Sequence, residues 1–185
     1  RKMGLELIDV QHTSPKGGSL RYMAQREGGP RMRNASVEKQ LAHEETIGLQ
    51  HPEIYRKFRK RIDAAKAELL AYLRDQKSKG KTFACYGASA TTTTLTYHFD
   101  LLSFISFFVD DYSWKQGLYS PGKHIPVLTA SSLAEMKPDI VLIAAWRYAE
   151  PIIRKNQAYL EQGGRFVIPL PKLEIKGDTM TAHLL

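Results

Sequence analysis

Thr82-Phe83-Ala84-Cys85-Tyr86-Gly87-Ala88-Ser89-Ala90-Thr91-Thr92-Thr93-Thr94 decides the fold of this chain. A short apolar run with no polar alternation predicts a strand buried on both faces, residues 82–86. Gly87 predicts a tight turn after it, and the small residues that follow lead into a helix over residues 90–99, despite the threonines. A strand, a glycine turn and a helix in that order open a βαβ unit.

Downstream, the same alternation repeats. Residues 104–109, 125–127, 139–144 and 165–169 read as strands, and residues 131–136 and 148–161 read as helices, the latter stopped by Gly163-Gly164. Apolar strands separated by helices predict an open, Rossmann-like, mostly parallel α/β sheet with helices on both faces, over residues 81–185. Upstream, residues 52–79 predict a long helix, with Pro52 in its first turn and Gly80 as its stop. Ile54, Phe58, Ile62, Ala65, Leu69, Tyr72 and Leu73 form an apolar stripe along it, predicted to dock on the α/β domain. Residues 36–47 predict a shorter helix ended by Gly48. Residues 5–10 and 20–24 alternate around Pro15-Lys16-Gly17-Gly18 and predict a β-hairpin. Two strands alone are marginally stable, so the hairpin is expected to belong to a larger sheet. The expected organisation is a hairpin (1–30), a helical connector (31–80) and the α/β domain (81–185).

The 185 residues are 43% hydrophobic and 25% charged, which excludes a disordered chain. The longest apolar stretch, residues 101–109, is broken by Ser103 and Ser106, so no membrane span is expected. A single cysteine, Cys85, excludes a disulfide framework and a multi-cysteine zinc site, and a reducing, cytoplasmic setting is expected. The chain opens at Arg1 with no apolar leader and reads as part of something larger. Charge divides unevenly: residues 1–81 hold 18 Lys+Arg against 10 Asp+Glu, while residues 82–185 hold 9 of each. The densest cluster, Arg56-Lys57-Phe58-Arg59-Lys60-Arg61, suits either a solvated helix face or a surface that meets phosphates. No nucleic-acid-binding signature accompanies it, and no nucleic-acid partner is expected.

Ligands of open parallel sheets bind beyond the carboxyl ends of the strands, where four segments are predicted to converge. The turn Tyr86-Gly87-Ala88-Ser89, with Thr91 and Thr92 behind it, offers free helix N–H groups, a positive dipole end and hydroxyls, a site for phosphate, or else plain helix capping. Asp110, followed by Asp111, ends the second strand of the unit, where an acid commonly receives a ribose hydroxyl or caps the following loop. Lys115 and Gln116 begin a loop that runs through Pro121 to His124, and Lys115 is placed to meet a phosphate as a point charge. Trp146 and Arg147 follow the strand 139–144, a ring and a guanidinium suited to a base and a phosphate, with core packing as the other reading of Trp146.

Catalytic patterns are missing. The six histidines show no metal-ligand spacing, and His43-Glu44-Glu45-Thr46-Ile47 has Ile where a zinc-protease helix needs a second His. Cys85 ends a buried strand and reads as a small apolar residue, not a nucleophile. Only Gly87 of the three glycines in a G-x-G-x-x-G fingerprint is present, which counts against a dinucleotide site, and no Walker loop occurs. Catalytic residues and metal ligands are therefore expected to be none. A non-catalytic Rossmann-type module for NAD stays as the alternative to a phosphate-ester binding domain.

Four stretches resemble the C-terminal domain of the S-adenosylmethionine-dependent C-methyltransferases that act on nucleotide-linked deoxysugars. They are Tyr86-Gly87-Ala88-Ser89-Ala90-Thr91, the segment 110–127 with Lys115-Gln116-Gly117 and Pro121-Gly122-Lys123-His124-Ile125-Pro126, Ala145-Trp146-Arg147-Tyr148-Ala149, and Gly163-Gly164-Arg165-Phe166 through Pro169-Leu170-Pro171. Gly17-Gly18-Ser19-Leu20-Arg21 resembles the last strand of the same family's methyltransferase domain. The resemblance implies a full-length enzyme with a cysteine-rich zinc module, a central Rossmann domain that binds S-adenosylmethionine, and this domain, with the nucleotide sugar between the last two. Neither the zinc cysteines, nor an acidic Gly-x-Gly-x-Gly loop, nor a Tyr-x-Glu-His segment is found in these residues. The implied role is therefore to bind a nucleotide-diphosphate sugar, with dTDP as the nucleotide considered, for an upstream domain that carries the cofactor and the chemistry. By itself the chain is expected to bind no cofactor and to be inactive. Its implied ligand contacts are Tyr86, Gly87, Ala88, Ser89, Thr91, Thr92, Asp110, Lys115, Gln116, His124, Trp146 and Arg147. Two departures bear on the ligand: Lys16 stands where many members have His, and Thr91-Thr92 where many have Lys-Gly.

Overall fold

Leu5, Leu7 and the Ile8–Val10 pair supply apolar side chains to one strand, and Gly17 and Gly18 supply the positive φ angles, 82° and 120°, that reverse the chain. In the computed structural model, which describes residues 3–177, β1 (Leu5–Thr13) and β2 (Ser19–Arg26) pair antiparallel around that turn, with a register shift between Leu7 and Asp9. Both strands run longer than the alternation predicted. α1 (Ala35–Thr46) starts at Asn34, whose side chain accepts from the Ser36 N–H at 3.0 Å. It covers the hairpin: Ile8, Val10 and Val37 are buried, and the Val10 N–H donates to Ser36 Oγ at 3.0 Å. α2 (Pro52–Ser78) follows as predicted. The described chain parts into two compact units between Arg61 and Ile62, so α2 contributes to both. The terminal residues 1–2 and 178–185, including His183, lie outside the described residues.

The apolar stripe of α2 divides accordingly. Leu69, Leu70 and Leu73 are buried in the core of the second unit, with Ile62, Ala65 and Tyr72 packed at its margin. Phe58, expected on the same docked face, is 55% exposed, with the Arg61 guanidinium 5.7 Å from its ring centre. The basic turns of the helix are a solvated surface with aromatic side chains among the cations.

The second unit is a six-stranded sheet in the order β5-β4-β3-β6-β7-β8, from β3 (Phe83–Tyr86), β4 (Phe107–Val109), β5 (Val127–Leu128), β6 (Ile140–Ile143), β7 (Arg165–Ile168) and β8 (Glu174–Lys176). The first five in that order are parallel and β8 is antiparallel. Alternate residues feed opposite cores, as the pleat requires. Phe83, Cys85, Phe108, Ile140 and Leu142 meet α2 and α3 (Ala90–His98) on one face. Ala84, Tyr86, Phe107, Val141, Ile143 and Phe166 meet α4 (Ser132–Met136), α5 (Ala149–Lys155) and α6 (Gln157–Glu161) on the other. Helices on both faces of a mostly parallel sheet confirm the α/β architecture expected from the apolar strands. The order reverses between β3 and β6, so the crevice of this doubly wound sheet opens where those two strands end.

Three local expectations are corrected. Residues 104–106 are a turn and not strand: the Phe104 N–H bonds the Leu101 carbonyl, and its ring stands edge-on to Phe83 with centres 5.9 Å apart. Packing beneath the sheet, not pairing, uses those apolar side chains. The helix expected over 148–161 is two helices broken at Asn156, whose amide bonds the Ile152 carbonyl at 2.7 Å and turns the backbone to φ −115°, ψ 37°. The residues Trp146–Tyr148 ahead of it form a 3-10 turn. β8 was not foreseen.

At the opposite end of the sheet from the crevice, Asp139 ties the starts of β3 and β6 together. It accepts from Lys81 Nζ at 2.8 Å and from the Thr82 N–H and hydroxyl at 2.9 and 2.8 Å. The Lys81 hydrogen bond, above all, holds its carboxyl down at about 2. Among the described residues no helix is long and apolar enough to cross a membrane.

Candidate functional site

The end of β3 and the start of α3 set the geometry. Gly87 has φ +100°, and its N–H bonds the Val109 carbonyl at 2.7 Å. A Cβ added there would meet Ala145 Cβ at 2.8 Å and Ala145 N at 3.2 Å, and that nitrogen is itself tied to the Tyr86 carbonyl at 3.2 Å. Only glycine lets the β3 bend pass so close to the end of β6. Ser89 then takes extended backbone angles, and its hydroxyl accepts from the Thr92 N–H at 3.2 Å, capping α3. Ala90 and Thr91 open the helix, so their N–H groups have no partner inside it and carry the positive end of its dipole. Within the helix the threonine hydroxyls are satisfied by carbonyls one turn back, Thr93 to Ser89, Thr94 to Ala90 and Thr96 to Thr92. Of the two readings offered for Ser89, the structure shows the helix cap.

Asp110, at the end of β4, gathers three donors. Its Oδ2 accepts from the Ala88 N–H at 2.7 Å and from Lys115 Nζ at 3.0 Å, and its Oδ1 accepts from the Tyr112 N–H at 2.9 Å. Gln116 Nε2 donates to the Asp110 carbonyl at 2.9 Å. The acid therefore joins the β3 bend to the loop after β4 and points Lys115 back toward that bend.

Two cavities flank the bend. The first, about 340 Å³, lies along α3. Ala88, Ser89, Ala90, Thr92, Thr93, Thr96 and Tyr97 form one wall, Lys115 and residues 118–121 the other, and Leu102, Phe108 and Val127 the floor. Tyr97 clasps the two walls, its hydroxyl donating to the Pro121 carbonyl at 3.0 Å. The second, about 320 Å³, lies at the reversal of strand order and is lined by Tyr86, Gly87, Asp110, Asp111, Ala145, Tyr148, Pro151, Ile152 and Lys155. There the Tyr86 hydroxyl donates to Asp111 Oδ1 at 2.9 Å, and Lys155 pairs with the same oxygen. Burial first, and then Asp111, push the Tyr86 phenol up to about 12, so it is a neutral donor at physiological pH.

The candidate residues from sequence separate over this geometry. Ala88, Ser89, Thr92 and Lys115 line the first cavity; Tyr86, Gly87 and Asp110 line the second. Thr91 is exposed at the mouth, bonded to Ser89 Oγ at 2.9 Å. Gln116 supports Asp110, and His124 sits exposed in the loop at φ +50°. Trp146 packs, half-buried, against the α5 side of the core, with the Arg147 guanidinium 4.3 Å from its ring centre; neither lines either of these two cavities. Tyr97 was not singled out, although it shares a helix face with Ser89 and Thr93. Asp111, Tyr148 and Lys155 come together only through the fold. Cys85 is fully buried, and burial pushes its thiol up to about 12. Among the described residues no group of acids, histidines and cysteine is arranged to hold a metal.

Asp110, the acid after β4 at the position where open parallel sheets commonly receive a ribose, is already engaged by Ala88, Tyr112 and Lys115.

Residues 14–171 match the family described as the C-methyltransferase C-terminal domain. The C-methyltransferase NovU of Streptomyces niveus is 33% identical over 170 residues, which cover 91% of this chain and 40% of that relative. The chain thus spans about two-fifths of the length of the curated relative it matches. A doubly wound sheet, a glycine bend against β6 and a match across most of the sequence agree: this chain belongs to the C-methyltransferase C-terminal domain family.

Proposed function

We propose that this chain binds the nucleotide-diphosphate sugar of a C-methyltransferase and presents it to an upstream domain that carries the methyl donor. The observation that supports this most is the cavity of about 340 Å³ at the first turn of α3. Its mouth combines the N–H groups of Ala90 and Thr91, which have no partner among the described residues, the hydroxyls of Ser89 and Thr92, and the Lys115 ammonium, which pairs with Asp110. A helix N-terminus with hydroxyls and one cation suits a diphosphate. The rest of the cavity, floored by Leu102, Phe108 and Val127 and walled by Tyr97 and Tyr119, suits a nucleoside.

On this reading, no residue of the chain breaks or makes a bond. Binding energy collected from the nucleotide, remote from the reacting carbon, holds the sugar where a base on the other domain removes a proton beside a keto group and the methyl group is transferred. Asp110 keeps the cradle and Lys115 in register. The methyl donor has no place on this chain.

Thermal unfolding of the 185-residue chain with dTDP, S-adenosylmethionine or NAD tests the proposal. At 100 times its dissociation constant, a ligand of the folded state adds about 2.7 kcal/mol, a rise in Tm of about 5–10 °C. The rise is expected with dTDP and not with S-adenosylmethionine. Stabilisation by S-adenosylmethionine alone, or by NAD in place of dTDP, would refute the proposal.

A further inference from the structure

Two helix faces of the first unit, one acidic and one basic, carry apolar side chains in solvent. On α1, Val37 is buried, whereas Glu38, Leu41, Ala42 and Glu45 follow one another at helical spacing and are all exposed. Leu41 is 52% exposed between the two acids. Lys39 and His43 lie apart from that face and, with Ser36 and Gln40, line a separate shallow cavity. On α2, Ile54, Lys57, Phe58 and Arg61 follow at the same spacing, with the Phe58 ring exposed.

Charge makes the two faces complementary. Residues 52–61 hold Arg56, Lys57, Arg59, Lys60 and Arg61 against one acid, Glu53. Glu53 pairs with Arg56 at 2.6 Å, while Lys57 has no hydrogen bond or ion pair among the described residues. Lys57 and Arg61 are like charges one turn apart, a spacing that weakens a helix until an acid comes between them. On α1, Glu45 has no side-chain partner among the described residues, and Glu38 meets only Arg33 there, in an exposed pair at 2.7 Å. The α1 face thus offers what the α2 face needs: Leu41 and the small Ala42 for the Phe58 ring, and Glu38 and Glu45 for Lys57 and Arg61. Nucleic-acid bases are the poorer occupant, because the Arg61 guanidinium, 5.7 Å from the Phe58 ring centre, already covers that ring.

We infer that two copies of this chain associate through these faces, α1 of each copy lying on the first turns of α2 in the other. A two-fold pairing uses both faces of each copy and makes the contact twice. The association is weak and falls with salt, since its charges ring a small apolar contact. It is independent of the nucleotide-sugar reading above.

Sedimentation equilibrium of the 185-residue chain over a range of concentrations tests it. The mass is expected to rise from one chain toward two, less steeply as salt goes from about 0.05 to about 0.5 M. Lys57→Glu with Arg61→Glu, or Glu38→Lys with Glu45→Lys, makes the facing charges alike, and each double variant alone pairs at least about 10-fold more weakly. Mixing the two double variants makes both contacts complementary again and returns the dissociation constant to within about 3-fold of the parent value. Arg154→Glu with Lys172→Glu, an equal change of charge on exposed residues of the second unit, leaves it unaltered. Thermal melts show which variants are folded; where a double variant is not, the single substitutions Lys57→Glu and Glu45→Lys carry the same comparison. A monomer at every concentration, a dimer that either reversal leaves intact, or a mixture that stays monomeric overturns the pairing. A monomer that binds an oligo-dT strand, and loses it with Lys57→Glu and Arg61→Glu, overturns it as well and makes the cluster a phosphate surface.

Discussion

Replacing Gly87 with alanine puts the geometry of the bend under direct test. At φ +100° a side chain costs about 1–2 kcal/mol in backbone strain. The new Cβ also meets Ala145 Cβ at 2.8 Å and Ala145 N at 3.2 Å, closer than such atoms sit. Ala145 is poorly placed to retreat, because its N–H bonds the Tyr86 carbonyl and its side chain packs on the core beneath α5. Overpacking of that kind costs a further 1–3 kcal/mol or so, for a total of about 2–5 kcal/mol. Gly163→Ala is the matched control: its φ is +87°, and no heavy atom lies within 4 Å of the added Cβ, so it pays the backbone strain alone. Urea unfolding followed by tryptophan fluorescence and circular dichroism measures both. The expected result is a loss for Gly87→Ala that exceeds the Gly163→Ala loss by about 1–3 kcal/mol, at unchanged slope. Equal losses for the two variants would mean that the bend is not pressed against β6 and that the site does not have this shape.

Two further outcomes are expected. Asp110→Asn leaves one acceptor oxygen facing three donors, Ala88, Tyr112 and Lys115, and should cost about 1.5–3 kcal/mol of stability and weaken dTDP several-fold; no change in either titration would remove Asp110 as the strut of the cradle. Asp139 has its carboxyl held at about 2, below its unfolded value near 4, so its contribution is present above pH 4 and disappears as pH falls toward 2. A third of its side chain is exposed, which reduces that contribution to about 1 kcal/mol; Asp139→Asn should be less stable than the parent by that amount at pH 7 and indistinguishable from it near pH 2.

Much of the fold can be read from residue patterns, because strands apolar at every position, such as Ile140–Ile143, have one reading in a sequence with helices between them. The stop of α2, the turn at Gly87 and the start of α3 were legible for the same reason: proline, glycine and serine act locally. The errors arose where a distant partner decides. Residues 104–106 look like strand but are drawn beneath the sheet by Phe83, and β8 is a strand only because β7 offers it an edge. Asn156 breaks a helix through a side-chain bond that its neighbours do not announce. The candidate site divides along the same line. The mouth of α3 is contiguous in sequence and could be found there. The cluster of Tyr86, Asp111, Tyr148 and Lys155 spans two strand ends and a helix, and only the strand order brings it together.

A diphosphate received by the first turn of α3 would be seen in amide proton–nitrogen spectra of the isotopically labelled chain recorded during a dTDP titration. The amides of Ala88, Ser89, Ala90 and Thr91 are expected to shift most and saturate together, while those of the opposite sheet end, Thr82 and Asp139, stay in place. Shifts centred on any other surface, with the α3 turn unmoved at saturation, would contradict it.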